Sequence, residues 1–298
     1  MASIKQSRKP ANLPALLPVF SLLLSATLWG LFWYPLRLLE EAGLSGLWST
    51  LLIYLGTLPV LLYLLHGRYH EFRQAPWLLA GLALASGWCN VAFVLAVLDG
   101  NIVRVLLLFY LSPFWATLIG WGFLGEHIHR STLLVLVIAL SGAVIMLWHP
   151  QMGMPFPESA ADWLALSSGF SFAVTNAFIR KAHQASVQTC TATSWSGVIL
   201  VALALLLVMA QPLGEVSTRV LLAAPVIGVL GITVMTLTVV YGVSHMPIHR
   251  SSIILLFEII VGAVSSLLLT SEVIMLHEWI GGTLVMLAAY LSAKKQVG

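Results

Sequence analysis

Ten apolar runs fill this chain almost from end to end, each close to the roughly 20 residues that a helix needs to cross a bilayer. They cover about 14–36, 43–65, 76–98, 101–124, 131–148, 162–180, 190–211, 220–243, 248–270 and 276–293. In hydrocarbon a backbone must satisfy its own N–H and C=O groups, so runs of this length predict transmembrane α-helices. The composition agrees, with 59% hydrophobic residues, 8% charged residues and a mean hydropathy of +0.97, against about a quarter charged in soluble domains. The expectation is an all-α polytopic membrane protein in which little chain is left for a soluble domain. The first run follows Lys5, Arg8 and Lys9, but its length and the want of a small-residue cleavage site read as a retained helix rather than a signal peptide.

Sidedness follows from the basic residues, which concentrate in cytoplasmic loops. With the N-terminus inside, eleven of the 14 Lys and Arg residues fall on the cytoplasmic side and only Arg37, Arg104 and Arg219 outside. Both termini are therefore expected in the cytoplasm. The basic pI of about 9.0 reflects this bias toward anionic headgroups and implies no nucleic-acid partner. Cys89 and Cys190 each sit inside a span without a second cysteine nearby, which predicts buried free thiols. The closely spaced His66/His70, His127/His129 and His245/His249 lie in loops or at span ends without an HExxH or His/Cys cluster, so no metal site is expected. The chain also lacks a GxSxG elbow, a P-loop and a GxGxxG turn, which excludes serine-hydrolase, ATP-driven and dinucleotide-dependent readings.

An internal repeat is legible at an offset of 146 residues. Arg104 to Glu126 brackets the fourth run, Arg250 to Glu272 brackets the ninth, and Ser21 and Ser25 fall on Ser167 and Ser171. Five spans per half is an odd number, so the second copy must be inverted in the membrane. In these motifs the chain resembles the drug/metabolite transporter superfamily, in its ten-helix EamA-type branch. Family members commonly carry a Glu-Pro pair in mid-helix and a Gly-Glu at the span end. Here SPFWATLIGWGFLGE keeps Pro113, Gly125 and Glu126 but has Ser112 at the glutamate position, while FEIIVGAVSSLLLTSE keeps Glu258 and Glu272 but has Ile259 and Ser271 for proline and glycine. The resemblance implies a first five-helix repeat over 1–148, a connecting loop at 149–161 and a second repeat over 162–298. It also implies secondary transport, usually export, of a small metabolite from a bacterial inner membrane.

Glu258 is the residue that most needs a reason, because a central acidic group costs about 2.5–3.5 kcal/mol on insertion scales. Ser251, Gly262, Ser265 and Glu272 share its helical face, a small and polar stripe that belongs in the bundle interior. Two readings stand: a cavity carboxylate that binds a substrate ammonium group or takes up a proton, and a neutral acid that bonds to a neighbouring helix. Further cavity candidates are Trp29, Asn90, Tyr110, Ser112, Asn176, Tyr241 and Ser265, all polar or aromatic within spans. Glu126 and Glu272 sit at span ends and point to gating or structure rather than substrate contact, and Pro113 predicts a bend in the fourth span. Trp77, Trp148, Trp163 and Trp279 read as interfacial anchors.

Three functions fit these residues. The leading one is an exporter of a small polar or zwitterionic metabolite, an amino acid or derivative, working by alternating access with its site at the midplane. The second is a proton-coupled effluxer of drugs or organic cations, and the third a non-transporting membrane accessory protein. No cofactor is expected beyond a proton as coupling ion, which Glu258 favours over simple facilitated diffusion. The partners are a small-molecule metabolite and the lipid bilayer, and no residue pattern addresses oligomeric state.

Overall fold

The computed structural model describes residues 13–100, 102–148, 156–269 and 275–297. Lys5, Arg8, Lys9, Ser271 and Glu272 lie outside the described residues, and the expectations attached to them stay with the sequence. Among the described residues the chain is helical with no strand. In order it forms α1 (Leu13–Glu41), α2 (Gly46–Gly56), α3 (Leu58–Leu65), α4 (Tyr69–Gln74), α5 (Pro76–Asp99), α6 (Ile102–Phe109), α7 (Ser112–Leu124) and α8 (Arg130–Leu147). There follow α9 (Ala160–Lys181), α10 (Val187–Val208), α11 (Thr218–Ile227), a π-helical turn (Gly228–Ile232), α12 (Thr233–His245), α13 (Ile248–Leu255), α14 (Phe257–Leu269) and α15 (Leu276–Val297).

Seven of these helices or joined helices are long and apolar enough to cross a membrane, and α2 with α3, bent by 43°, makes an eighth if counted as one broken span. The two remaining runs form α9 and α15, 22 residues each. Their length suffices, about 33 Å at 1.5 Å per residue, but Asp162, Asn176 and Arg180 in α9 and His277, Glu278 and Lys294 in α15 dilute their hydropathy. Four of the expected continuous helices are interrupted: at Thr57, at Tyr110–Leu111, at the π-helical turn and at Leu256. Three exposed tryptophans, Trp77, Trp163 and Trp279, stand at helix ends as anchors would.

Lipid tails are as apolar as leucine, so helices in a bilayer choose neighbours by close packing rather than by hydrophobicity. Here α5 packs on α9 and α10, α8 on α15, α1 on α12 and α14, α7 on α9, and α2 on α10 and α11. Glycines permit the tightest approaches. A Cβ on Gly87 would stand 2.5 Å from the Gly197 carbonyl, and Cβ atoms on Gly56 and Gly228 would enter the backbones at Pro225 and Ile53. These two crossings, α5 over α10 and α2 over the α11/π-turn junction, are images of each other, since Gly197 follows Gly56 and Gly228 follows Gly87 at one offset of 141.

The same pseudo-symmetry appears in two serine clamps. Ser25 Oγ of α1 donates to the Met235 carbonyl of α12 at 2.9 Å, and Ser168 Oγ of α9 donates to the Cys89 carbonyl of α5 at 2.6 Å. The partner of Ser25 by role is therefore Ser168, one turn before the Ser171 that sequence alignment selects. Helix-to-helix contact decides this, because a side chain at 168 faces α5. Cys89 and Cys190 are buried and free.

Candidate functional site

The interruptions in the fourth and ninth spans fall at matching places in the two repeats. Leu111 N–H reaches the Leu108 carbonyl at 3.4 Å and Phe114 N–H the Leu111 carbonyl at 2.9 Å, so the i→i−4 ladder tightens to i→i−3 at the α6–α7 junction. At the α13–α14 junction Leu256 N–H meets Ile253 at 3.2 Å and Ile259 N–H meets Leu256 at 3.1 Å in the same pattern. Pro113 opens α7, as expected of a proline at a helix start. Its counterpart is Ile259, which keeps its N–H, so proline is not required for the break.

Glu258 lies in the first turn of α14, immediately after one break, and Tyr110 lies at the other. Tyr110 Oη donates to Glu258 Oε1 at 3.1 Å, bridging 148 residues and joining the two repeats where both spans interrupt. Tyr110 is 7% exposed, while Glu258 stays partly accessible. Behind Glu258 passes α1: a Cβ on Gly30 would stand 2.7 Å from the Glu258 carbonyl. Two turns along α14, Ser265 Oγ lies 2.9 Å from the Gly262 carbonyl and 3.4 Å from the Gly30 carbonyl, and it accepts from Trp33 Nε1 at 2.9 Å. The Gly262/Ser265 stripe is thus interior, and α1 occupies it. Its small residues serve close packing there.

The other candidates separate by level. Trp29 is half-buried on α1, edge-on to Phe32 at 5.5 Å. Asn90 of α5 accepts from Tyr54 Oη at 3.0 Å and donates to the Ser86 carbonyl at 3.0 Å, so its amide is engaged within the protein. Ser112 is buried at the start of α7. Tyr241 stands near the end of α12, its ring stacked 4.2 Å from His245, away from Glu258 along the bundle. Asn176 is 1% exposed, one turn before Arg180 on α9, and its Nδ2 has no partner among the described residues.

Each end of the bundle carries a polar knot. At one end Arg104 of α6 reaches Asp162 of α9 (Nε–Oδ2, 2.9 Å), Glu158 (3.3 Å) and the Phe156 carbonyl, and Asp162 also closes a capping box with Ser159. At the other, Glu126 after α7 accepts from Ile248 N–H at 3.1 Å, stands 2.9 Å from His249 Nδ1 and 4.0 Å from Arg180 Nε. Nearby on α4, Glu71 accepts from Ser186 N–H at 2.6 Å at the start of α10 and pairs with Arg68 at 3.6 Å. Burial alone would raise the Glu71 pKa, but the Ser186 N–H, the Thr189 and Ser186 hydroxyls and Arg68 together hold it below the ordinary carboxylate value. Among the described residues no three His, Cys, Asp or Glu side chains converge as metal ligands.

A model of the EamA-like transporter family matches residues 16–148 and matches again over residues 159–294. The chain belongs to the EamA-like transporter family. The two matches give it two EamA domains, one in each half of the chain. This EamA-like transporter is 25% identical over 179 residues to the uncharacterized transporter PA0485 of Pseudomonas aeruginosa, a match that spans 56% of each chain. A crystal structure of another protein superposes on 94% of it and covers 97% of that chain, with a TM-score of 0.70 and 17% identity, which is a likeness of fold alone.

Sequence reasoning missed Trp33, Tyr54, Glu71, Arg180 and His249. A signal existed for Trp33, which lies one turn from Trp29 on the same face, and for Tyr54, a hydroxyl in mid-run. Glu71, Arg180 and His249 look like ordinary loop and span-end residues until the fold sets them beside partners more than fifty residues away.

Proposed function

We propose that this EamA-like transporter is a secondary exporter of a small polar or zwitterionic metabolite, an amino acid or a derivative, which it moves across a bacterial inner membrane by alternating access. Its ten spans are two inverted five-helix repeats, with α9 and α15 counted as spans and both termini in the cytoplasm. Glu258 is the carboxylate that binds the substrate's ammonium group or exchanges it for a proton, and Tyr110 orients it. Trp29 and Ser112 lie on the spans that surround this carboxylate. The observation that carries the reading is the Tyr110–Glu258 hydrogen bond, which joins the breaks of the two repeats at the carboxylate of a partly accessible residue. A broken helix in mid-membrane frees backbone groups and absorbs a change of angle, the features on which rocking of one repeat against the other depends.

A second reading, an effluxer of organic cations, is favoured by one feature. All 14 Lys and Arg residues lie at span ends or in loops, so no basic side chain in mid-span offers a partner to a substrate carboxylate. Flux into proteoliposomes separates the two. A panel of amino acids and lipophilic cations is offered with and without an imposed pH gradient, to the native protein and to Glu258→Gln and Tyr110→Phe variants. The expected result is saturable flux of a zwitterion, abolished by Glu258→Gln. Tyr110→Phe removes one hydrogen bond to a charged group, worth about 1.5–3 kcal/mol, and should weaken flux by roughly tenfold or more. Cation flux without zwitterion flux would select the second reading, and flux untouched by Glu258→Gln would remove the carboxylate from both.

A further inference from the structure

Between Glu258 and the end marked by Glu126 the bundle is sealed. One apolar cluster there draws Leu22 from α1, Leu82 from α5, Ala116 from α7, Ala177 from α9, Val243 from α12 and Ile254 from α13, all buried. Inside or against this seal lie two N–H donors with no acceptor among the described residues: Nδ2 of Asn176, on a side chain 1% exposed, and Nε1 of Trp115. A buried donor without a partner is costly, and natural proteins keep few of them without a use. Two in one apolar plug are explained if the plug opens, because water or a ligand then reaches both.

What holds the plug shut is also visible. Two carboxylates of the first repeat cap the N-termini of two helices in the second: Glu126 takes the Ile248 N–H that opens α13, and Glu71 takes the Ser186 N–H at the start of α10. Carboxylates at helix N-termini are favourable both as hydrogen-bond acceptors and against the helix dipole. His249 and Arg180 stand on the Glu126 side and Arg68 on the Glu71 side, so the contacts at both points include charged or chargeable partners.

We propose that Glu71 and Glu126 form a two-point clamp that closes the transport path at this end, and that the N–H groups of Asn176 and Trp115 line the limb exposed when the clamp releases. The inference rests on the transport reading above. Because both lining groups donate, the ligand they meet is an acceptor, which for a zwitterion is its carboxylate. The clamp joins repeat to repeat, so its release is what a rocking motion at this end requires.

The test reads accessibility and needs no substrate. In a background carrying Cys89→Ala and Cys190→Ala, Asn176→Cys is reconstituted and its modification by N-ethylmaleimide is timed. The comparison is between the intact clamp and the Glu71→Gln, Glu126→Gln and doubly substituted forms. Ala139→Cys, fully buried between α8 and α15, reports whether the fold survives. The clamp predicts slow labelling when intact and labelling faster by about tenfold in the double form, the shift expected from losing a charge-assisted hydrogen bond, with Ala139→Cys protected throughout. Equal rates with and without the carboxylates overturn the proposal, as does fast labelling of the intact clamp. If Ala139→Cys becomes reactive as well, the carboxylates hold the fold rather than a gate, and the proposal also fails. A failure of the flux assay leaves these outcomes unaltered, so the two readings fall separately.

Discussion

At the scale of single residues, burying an ionisable or hydroxyl group in mid-span is costly unless a partner meets it. Glu258 and Tyr110 stand out in a list of letters because ionisable and hydroxyl groups in mid-span need partners, and the two prove to be each other's partner at 3.1 Å. Glu71 gave no such warning, since a glutamate beside Arg68 and Arg73 reads as a hydrated loop residue. The fold buries it to 7% exposure and surrounds it with donors. A carboxyl with a lowered folded pKa contributes stability above its unfolded value, about 4.3, and loses it as pH falls through the folded value. Thermal unfolding in detergent should therefore show the native protein losing more stability between pH 6 and pH 3 than a Glu71→Gln variant, which starts about 1–3 kcal/mol lower at neutral pH. Parallel pH profiles for the two proteins would show that Glu71 gains nothing from these contacts.

At the scale of elements, period and length place the helices within a few residues, yet not their interruptions or crossings. The break at Leu256 has no proline and no glycine to announce it, and only its match to the break before Pro113 gives it a context. The glycine crossings are likewise hidden, because the chain has 23 glycines and the sequence does not say which face a backbone. Gly197 and Gly228 do, each with a facing carbonyl where a methyl group would go. Gly197→Ala and Gly228→Ala should each destabilise the protein by about 1–3 kcal/mol or more, whereas Gly122→Ala, with open space around its Cβ, should gain or lose little. Melting temperatures of the three variants decide this, and equal values would mean that the helices slide apart at no cost.

For the whole molecule, the dominant helix pairings, α5 with α9 and α10, α8 with α15, α1 with α12 and α14, α7 with α9, all join residues of the first repeat to residues of the second. The repeats are interleaved halves of one core. Severing the chain in the loop between α8 and α9 and co-expressing the fragments should restore a bundle that co-purifies, while either fragment alone is lost to proteolysis. A first repeat that is stable and monodisperse by itself would contradict the interleaving.

The sequence by itself determined that this is a helical membrane protein, roughly where each helix runs, that the halves repeat, and that Glu258 needs a reason. Those properties follow from transfer into lipid, which each segment undergoes largely on its own account. Tertiary structure alone decided which helices cross, that α1 fills the Gly262/Ser265 stripe, that Asn90 is satisfied while Asn176 is not, and that Glu71 and Glu126 cap helices of the opposite repeat. Sideways choice in a bilayer gains nothing from hydrophobicity, so it rests on backbone fit and hydrogen bonds between residues far apart in the chain, which no local pattern encodes.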